Sequence, residues 1–238
     1  MKLLVTDYDG TLFTNEDDLK VNINYLKKWQ NKGNKIVIST GRSYPSIKNQ
    51  VDINHIPYDF LSCADGSIIY DKNGLILKMY EMDTRIIEPF KDFYQNLNFE
   101  EIQFSYPRGY SNILLSEKEL LGINVCIKTE NYSKKIVNSF KNLSKKYPEY
   151  HFLNYMNPNY SYLCIKPNNI DKAMAIEFLG EYLNIKDENI YVIGDSYNDL
   201  EMIKKYHGVC MNTSYQDVIN ISKKVYVSVK DYIEDSLN

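Results

Sequence analysis

Short apolar runs alternate with amphipathic stretches along this chain, and three of the runs end in a turn rich in polar groups and glycine. Leu3-Leu4-Val5-Thr6 leads into Asp7-Tyr8-Asp9-Gly10-Thr11, and Lys35-Ile36-Val37-Ile38-Ser39 leads into Thr40-Gly41-Arg42. Asn189-Ile190-Tyr191-Val192-Ile193 leads into Gly194-Asp195-Ser196-Tyr197-Asn198-Asp199. Such short β-rich runs predict strands, and helical periodicity follows each turn. The first helix is predicted near Asn22 to Lys32, closed by Gly33, and the second follows Arg42 with Pro45 in its first turn. Alternating strands and helices imply a parallel sheet whose ligands bind beyond the carboxyl ends of its strands. Acidic residues, a hydroxyl and an amide from three distant segments then gather at one edge.

The pattern changes after the run Phe60 to Ala64, the strand-like Ser67 to Tyr70 and the hairpin signal Asp71-Lys72-Asn73-Gly74. A helical stretch is predicted over about Thr84 to Leu97, then strands over Glu101 to Tyr106 and Ser111 to Leu115, joined through Pro107-Arg108-Gly109-Tyr110. A strand over Asn124 to Lys128, a helix over Ser133 to Lys146 and strands near Tyr150 to Tyr155 and Ser161 to Ile165 complete this middle part. Helices set between hairpin-spaced strands suggest a small α+β unit inserted into the sheet domain. The α/β alternation then returns, with a helix from about Ile170 to Leu183, the strand before Gly194 and a helix over Leu200 to Tyr206. Short strands over Gly208 to Met211 and Tyr226 to Val229 follow.

Composition narrows the class without naming it. At 238 residues, 44% hydrophobic and 25% charged, the chain is an ordinary globular one, large enough for one big domain or two modest ones. A net charge of -3 gives no reason to expect nucleic acid as a partner. No apolar run reaches the ~18 residues of a membrane span, and Asp7 and Asp9 interrupt any signal-peptide core. A cytoplasmic location without a membrane partner is the expectation. Cys63, Cys126, Cys164 and Cys210 are widely spaced with no CxxC pair, which reads as buried free thiols.

The candidate chemistry begins with Asp7 and Asp9. Residues two apart on a strand point the same way, so both carboxylates are expected on one face, repelling each other unless a cation or shared proton relieves them. Together with Thr40, Lys172 and the run Gly194 to Asp199, they resemble the haloacid dehalogenase superfamily, and within it the Cof-type, sugar-phosphatase-like branch (type IIB, C2 cap). The DxDGT motif of that family matches Asp7 to Thr11, its Thr at a strand end matches Thr40 of Thr40-Gly41-Arg42, its Lys best matches Lys172, where a helix would begin, with Lys166 as the competitor, and its GDxxND matches Gly194 to Asp199.

The resemblance implies a Rossmann-like α/β core of three layers with a parallel sheet, residues 1–81 and 168–238, carrying an inserted α+β cap, residues 82–167. It implies a phosphatase of small phosphorylated metabolites, with Asp7 as nucleophile and Asp9 as acid and base. Mg²⁺ is the implied cofactor, held by Asp7, Asp195, the Asp9 backbone carbonyl and Asp199, the last as ligand or as orienting partner. Thr40, Gly41, Lys172 and Asn198 are implied to bind the phosphoryl group. Arg42 and, in the cap, Tyr106, Arg108 and Tyr110 are weaker candidates for meeting the rest of the substrate. Asp65 stands where Cof-like sequences commonly carry Asn. Two rival readings stand beside the phosphatase: a phosphomutase using the same phospho-aspartate, and a signalling module that accepts a phosphoryl group on Asp. Sugar phosphates, nucleotides, flavin mononucleotide and pyridoxal phosphate are all open as substrates, as is oligomeric state.

Overall fold

Leu3, Leu4 and Val5 have no exposed surface, as a central parallel strand covered on both faces requires. The computed structural model describes residues 1–156 and 159–237. The first segment runs β1 (Leu3–Thr6), α1 (Glu16–Asn31), β2 (Lys35–Ser39), α2 (Tyr44–Ile53), β3 (Phe60–Cys63), β4 (Ile68–Asp71) and β5 (Ile76–Met79). The middle segment holds α3 (Ile87–Tyr94), β6 (Glu101–Tyr106), β7 (Gly109–Ser111), β8 (Gly122–Lys128), α4 (Lys134–Lys146), β9 (Tyr150–Met156) and β10 (Tyr160–Pro167). The last runs α5 (Lys172–Leu183), β11 (Ile190–Gly194), α6 (Leu200–Lys205), β12 (Val209–Met211), α7 (Gln216–Ile221), β13 (Val225–Tyr226) and α8 (Val229–Leu237). The chain divides into two compact units, Met1–Met79 with the chain from Asp171 onward, and Tyr80–Ile170.

In the first unit one sheet has the order β13-β12-β11-β1-β2-β3-β4-β5. The pairs from β13 to β3 are parallel, and β4 and β5 are added antiparallel at the edge. Thr6 lies level with Ile193 on one side and Ile38 on the other, so the turns after β1, β2 and β11 leave the sheet together. That register brings residues near 7, 40 and 195 to one edge. Leu3, Val5, Val37 and Val192 pack against Ile176 and Leu179 of α5 and Met202 and Ile203 of α6. Against the other face lies α1, whose buried Leu19, Ile23, Leu26 and Trp29 follow helical spacing. Trp29 Nε1 donates to the Lys35 carbonyl at 2.9 Å, and α8 lies beside α1, with the Lys230 amide donating to Asn22 Oδ1 at 3.0 Å.

The second unit has its own antiparallel sheet, order β7-β6-β8-β10-β9, and its own core of Phe90, Phe104, Ile123, Val125, Phe140 and Leu163 among others. Burial of each such side chain stabilises the unit by about 1.5–3 kcal/mol.

Several predicted bounds shift. Helix α1 begins at Glu16 rather than near Asn22, because Asn15 caps it by accepting from the Asp17 and Asp18 amides and three acidic residues form its first turn. That turn is solvated and carries no apolar stripe, so periodicity misses it. Of the run Ser111 to Leu115 only Ser111 is in a strand. Pro107 and Arg108 form a tight turn between Tyr106 and Gly109, and β7 ends at Ser111. The short strand expected from Tyr226 to Val229 lies earlier, at Val225–Tyr226, and Val229 already begins α8, where Val229, Tyr232 and Ile233 are buried at helical spacing. The helix expected over Thr84 to Leu97 contains α3 preceded by a single 3-10 turn at Thr84–Ile86. The four cysteines are free, and no helix among the described residues is long and apolar enough to cross a membrane.

Candidate active site

Strand β1 ends at Thr6, and the chain turns over at once. The Leu12 and Phe13 amides donate back to the Asp7 and Tyr8 carbonyls, and the Gly10 amide to the Phe13 carbonyl. Gly10 has φ +84°, and a Cβ there would lie 2.6 Å from Asp195 Oδ2. Only glycine meets both demands.

This turn separates the two acids. Asp7 is buried, with its Oδ1 accepting from Lys172 Nζ at 2.5 Å. Asp9 is half exposed and accepts from Arg42 at both oxygens, Nε at 2.7 Å and Nη2 at 2.6 Å. The expected mutual repulsion of a shared face is therefore corrected: each acid has its own cation. The like charges that act on Asp7 are Asp199 and Asp195.

Lys172 owes its place to a cap. The Asp171 carboxylate accepts from the Met174 amide and starts α5 at Lys172, whose side chain is fully buried between Asp7 and Asp199, the latter at 2.6 Å. Burial pulls the ammonium pKa down, but Asp199, Asp7 and Asp65 outweigh it, and the net shift is upward. Lys172 therefore stays charged.

Asp199 is engaged on every side. Its Oδ1 accepts from Lys172, and its Oδ2 accepts from the Asp195 and Ser196 amides at 2.9 and 3.0 Å. Ser196 returns the bond as a capping box. The geometry gives Asp199 a bracing place. Asp195 Oδ1 accepts from the Thr11 hydroxyl at 2.6 Å. Oxygens of Asp7, Asp195 and Asp199 lie within 4.8 Å of one another. Burial foremost, with Asp199 and Asp195 adding to it and Lys172 opposing, holds Asp7 well above the usual carboxylate range. Burial foremost raises Asp195 to about 6, the Thr11 bond opposing. Asp7 and Asp195, two neighbouring carboxyls that resist ionisation, are donors suited to a cation, and an all-oxygen set suits Mg²⁺.

Thr40 is buried at the end of β2, and its Oγ1 accepts from the Arg42 amide at 3.1 Å. The hydroxyl proton has no acceptor among the described residues, so Thr40 is ready to donate. Gly41 sits close under Asp65, where a Cβ would lie 2.9 Å from Asp65 Oδ1 and push that carboxylate aside. The loop of Ala64 and Asp65, both at positive φ, stitches this turn in place: the Asp65 amide donates to the Thr40 carbonyl and the Ala64 amide to the Arg42 carbonyl, each at 3.0 Å.

Asn198 donates from Nδ2 to Asp65 Oδ1 at 2.8 Å, so one of its two amide protons, expected to face phosphate, is engaged by a carboxylate. Arg42, expected to meet substrate, grips Asp9 instead. In the other unit the Tyr106 hydroxyl accepts from the Leu115 and Ser116 amides and donates to the Ser116 carbonyl, which makes it a loop anchor. Arg108 and Tyr110 are exposed in that unit.

Three contributors were not assigned from sequence: Thr11, Ser196 and the bracing role of Asp65. The Ser196-x-x-Asp199 spacing is a capping signal that could have been read. Asp65 offered none beyond an Asp-Gly pair. Replacing Asp65 by Ala strains a backbone at φ 50° and takes the acceptor from the half-buried Asn198 amide. A loss of about 1–3 kcal/mol in urea unfolding is expected. Asp65→Asn, which accepts the same bond and tolerates that backbone, is expected to lose less than half as much.

The sequence model of the haloacid dehalogenase-like hydrolases matches residues 4–119 and 109–232. The chain belongs to that family. Among this hydrolase's relatives, 5-amino-6-(5-phospho-D-ribitylamino)uracil phosphatase of Bacillus subtilis is 26% identical over 241 residues, 99% of this chain and 90% of the relative. A phosphatase of the haloalkanoate superfamily from Bacteroides thetaiotaomicron superposes with a TM-score of 0.80 at 20% identity, covering 99% of this chain and 93% of that one. A HAD/COF-like hydrolase from Plasmodium vivax does so at 0.80 and 19%, covering 100% and 95%. The hydrolase is of the Cof type and is a phosphoric monoester hydrolase.

Proposed function

We propose that this hydrolase cleaves phosphomonoesters of small metabolites in two steps, carrying the phosphoryl group on Asp7. The observation that carries the reading is the pairing of Asp7 with fully buried Lys172 inside the acid cluster, beside the donor-ready hydroxyl of Thr40. One oxygen of Asp7 is fixed by the lysine, which leaves the other to attack phosphorus. The attack forms an Asp7–phosphorus bond and breaks the ester P–O bond, while Asp9 gives its proton to the departing alkoxide. Water then attacks the same phosphorus, Asp9 takes back a proton, and Asp7 leaves as free carboxylate with inorganic phosphate as product. Thr40 and the second amide proton of Asn198 donate to the phosphoryl oxygens, and Lys172 offsets their charge.

Asp7 and Asp195 would hold Mg²⁺ with Asp199 bracing both, and the bound ion supplies the positive charge that lets ionised Asp7 meet a phosphate dianion. The substrate is a small phosphorylated metabolite, the group to which the ribitylaminouracil phosphate named for the Bacillus relative belongs. A panel of phosphorylated metabolites, assayed for phosphate release with Mg²⁺ and with chelator, tests the reading. Metal-dependent release is expected; interconversion of substrates without phosphate release would replace it by a mutase.

Asp9 meets Arg42 in the resting arrangement, so its proton transfer requires that pair to open. Asp9→Asn is expected to slow esters with poor leaving groups by about 10²–10⁴-fold, and activated esters far less, in steady-state kinetics.

A folded-state carboxyl pKa raised above its ordinary value costs stability as pH rises through it and restores stability as pH falls. Asp195 near 6, with Asp7 also raised, therefore makes the metal-free protein more stable on acidification from neutral pH. Protons and metal compete for these oxygens. The gain in Tm given by Mg²⁺ is expected to be large at about pH 8 and small at about pH 5 in thermal scans.

A further inference from the structure

The loop that carries Asp195 and Asp199 also carries Tyr197, a residue left 43% exposed. It stacks on Tyr215, itself 46% exposed, at a centroid distance of 4.7 Å and an interplanar angle of 28°. The two tyrosines come from different turns. Tyr197 follows β11 and Tyr215 follows β12, and these strands are parallel neighbours with Gly194 level with Cys210. Both rings therefore stand at the carboxyl edge of the sheet, where the acid cluster lies and where ligands of such sheets bind.

Both backbones are pinned. Asp199 fixes the first turn by accepting from the Asp195 and Ser196 amides. The second is closed by the Ser214 amide on the Met211 carbonyl, and the Tyr215 carbonyl accepts from the Val218 and Ile219 amides as α7 begins. A pair of half-exposed, mutually stacked rings on pinned backbones beside a polar reaction centre has the construction of a binding surface, since part of the entropy of ordering it is spent before any ligand arrives. Its chemistry favours a flat partner: an aromatic face stacks most strongly on a planar π ring, less on the C–H face of a sugar ring, and an open-chain polyol offers it no flat face.

Resting on the phosphatase reading, we infer that Tyr197 and Tyr215 form a stacking platform for the organic part of the substrate, and that this part carries a planar ring of the nucleobase, flavin or pyridine kind. Matched pairs isolate the ring: uridine monophosphate against ribose 5-phosphate, and flavin mononucleotide against ribitol 5-phosphate. Binding of each to Asp7→Asn protein with Mg²⁺ is measured by calorimetry, and hydrolysis of each by the wild type is measured in parallel.

In each pair the ring-bearing ester is expected to bind about tenfold tighter, and most of that advantage should vanish in Tyr197→Leu and Tyr215→Leu placed in the same background. Equal affinity within both pairs, or an advantage that survives both leucine variants, overturns the platform. So does a uniform loss across ring-bearing and ring-free esters accompanied by a lower Tm, which marks a purely structural stack. A ring preference that depends on both tyrosines without any phosphate release from the wild type sustains the platform and sinks the hydrolysis reading alone.

Discussion

Asp7→Asn is expected to lower phosphate release on the order of 10⁴-fold or more, because it removes the one atom able to attack phosphorus. The same change should leave the fold intact. Asparagine keeps the shape and can still accept from Lys172 through its carbonyl oxygen. Burial and the neighbouring Asp199 and Asp195 hold the Asp7 pKa well above its usual range, so the ionised group is a net burden in the metal-free protein at neutral pH. The metal-free variant should therefore melt no lower than wild type, while its gain in Tm from Mg²⁺ shrinks. Lost turnover with retained Tm separates chemistry from folding; a variant that keeps wild-type turnover would remove Asp7 from the reaction.

Lys172→Met is expected to damage both. The side chain is fully buried and bonded to two carboxylates, at 2.5 Å to Asp7 and 2.6 Å to Asp199. Removing one partner of such a buried group leaves charge uncompensated, a loss of about 3–5 kcal/mol. Activity should fall with it, since the charge that offsets the phosphoryl oxygens goes too. The stability loss has a sign that can be checked. Lys172 lowers the Asp7 pKa, against a larger upward push from burial. Without the lysine that pKa rises further, so the deficit of the variant is greatest where Asp7 would be ionised and shrinks as pH falls through its raised folded value. Urea midpoints for wild type and variant at several pH values measure this. A deficit that grows on acidification would contradict the ion-pair account.

The sheet was legible because its strands are continuous apolar runs that end in polar turns. The register that sets Thr6 level with Ile38 and Ile193 is the physical form of that pattern. Asp7, Thr40, Lys172 and the Asp195 to Asp199 turn converge for the same reason. What stayed hidden depends on side chains finding partners far away in sequence. Asp9 and Arg42 are distant in the chain, and nothing local announces that the arginine takes both carboxylate oxygens. The bond from Asn198 to Asp65 spans more of the chain still. Tyr106 reads as a loop aromatic available to a ligand, but its hydroxyl is consumed by the backbone of residues 115 and 116. Helix α8 was missed because Val229 can end a short strand or begin a helix, and only burial of Tyr232 and Ile233 decides between them.

The most direct test of the central claim is to quench the enzyme with acid during turnover of a good substrate with Mg²⁺ and map covalent phosphate by peptide mass. A phosphoryl group on Asp7, formed and consumed at rates compatible with turnover and absent from Asp7→Asn, is the predicted result. Phosphate release with no covalent phosphoryl group, or with one on another residue, would contradict the account.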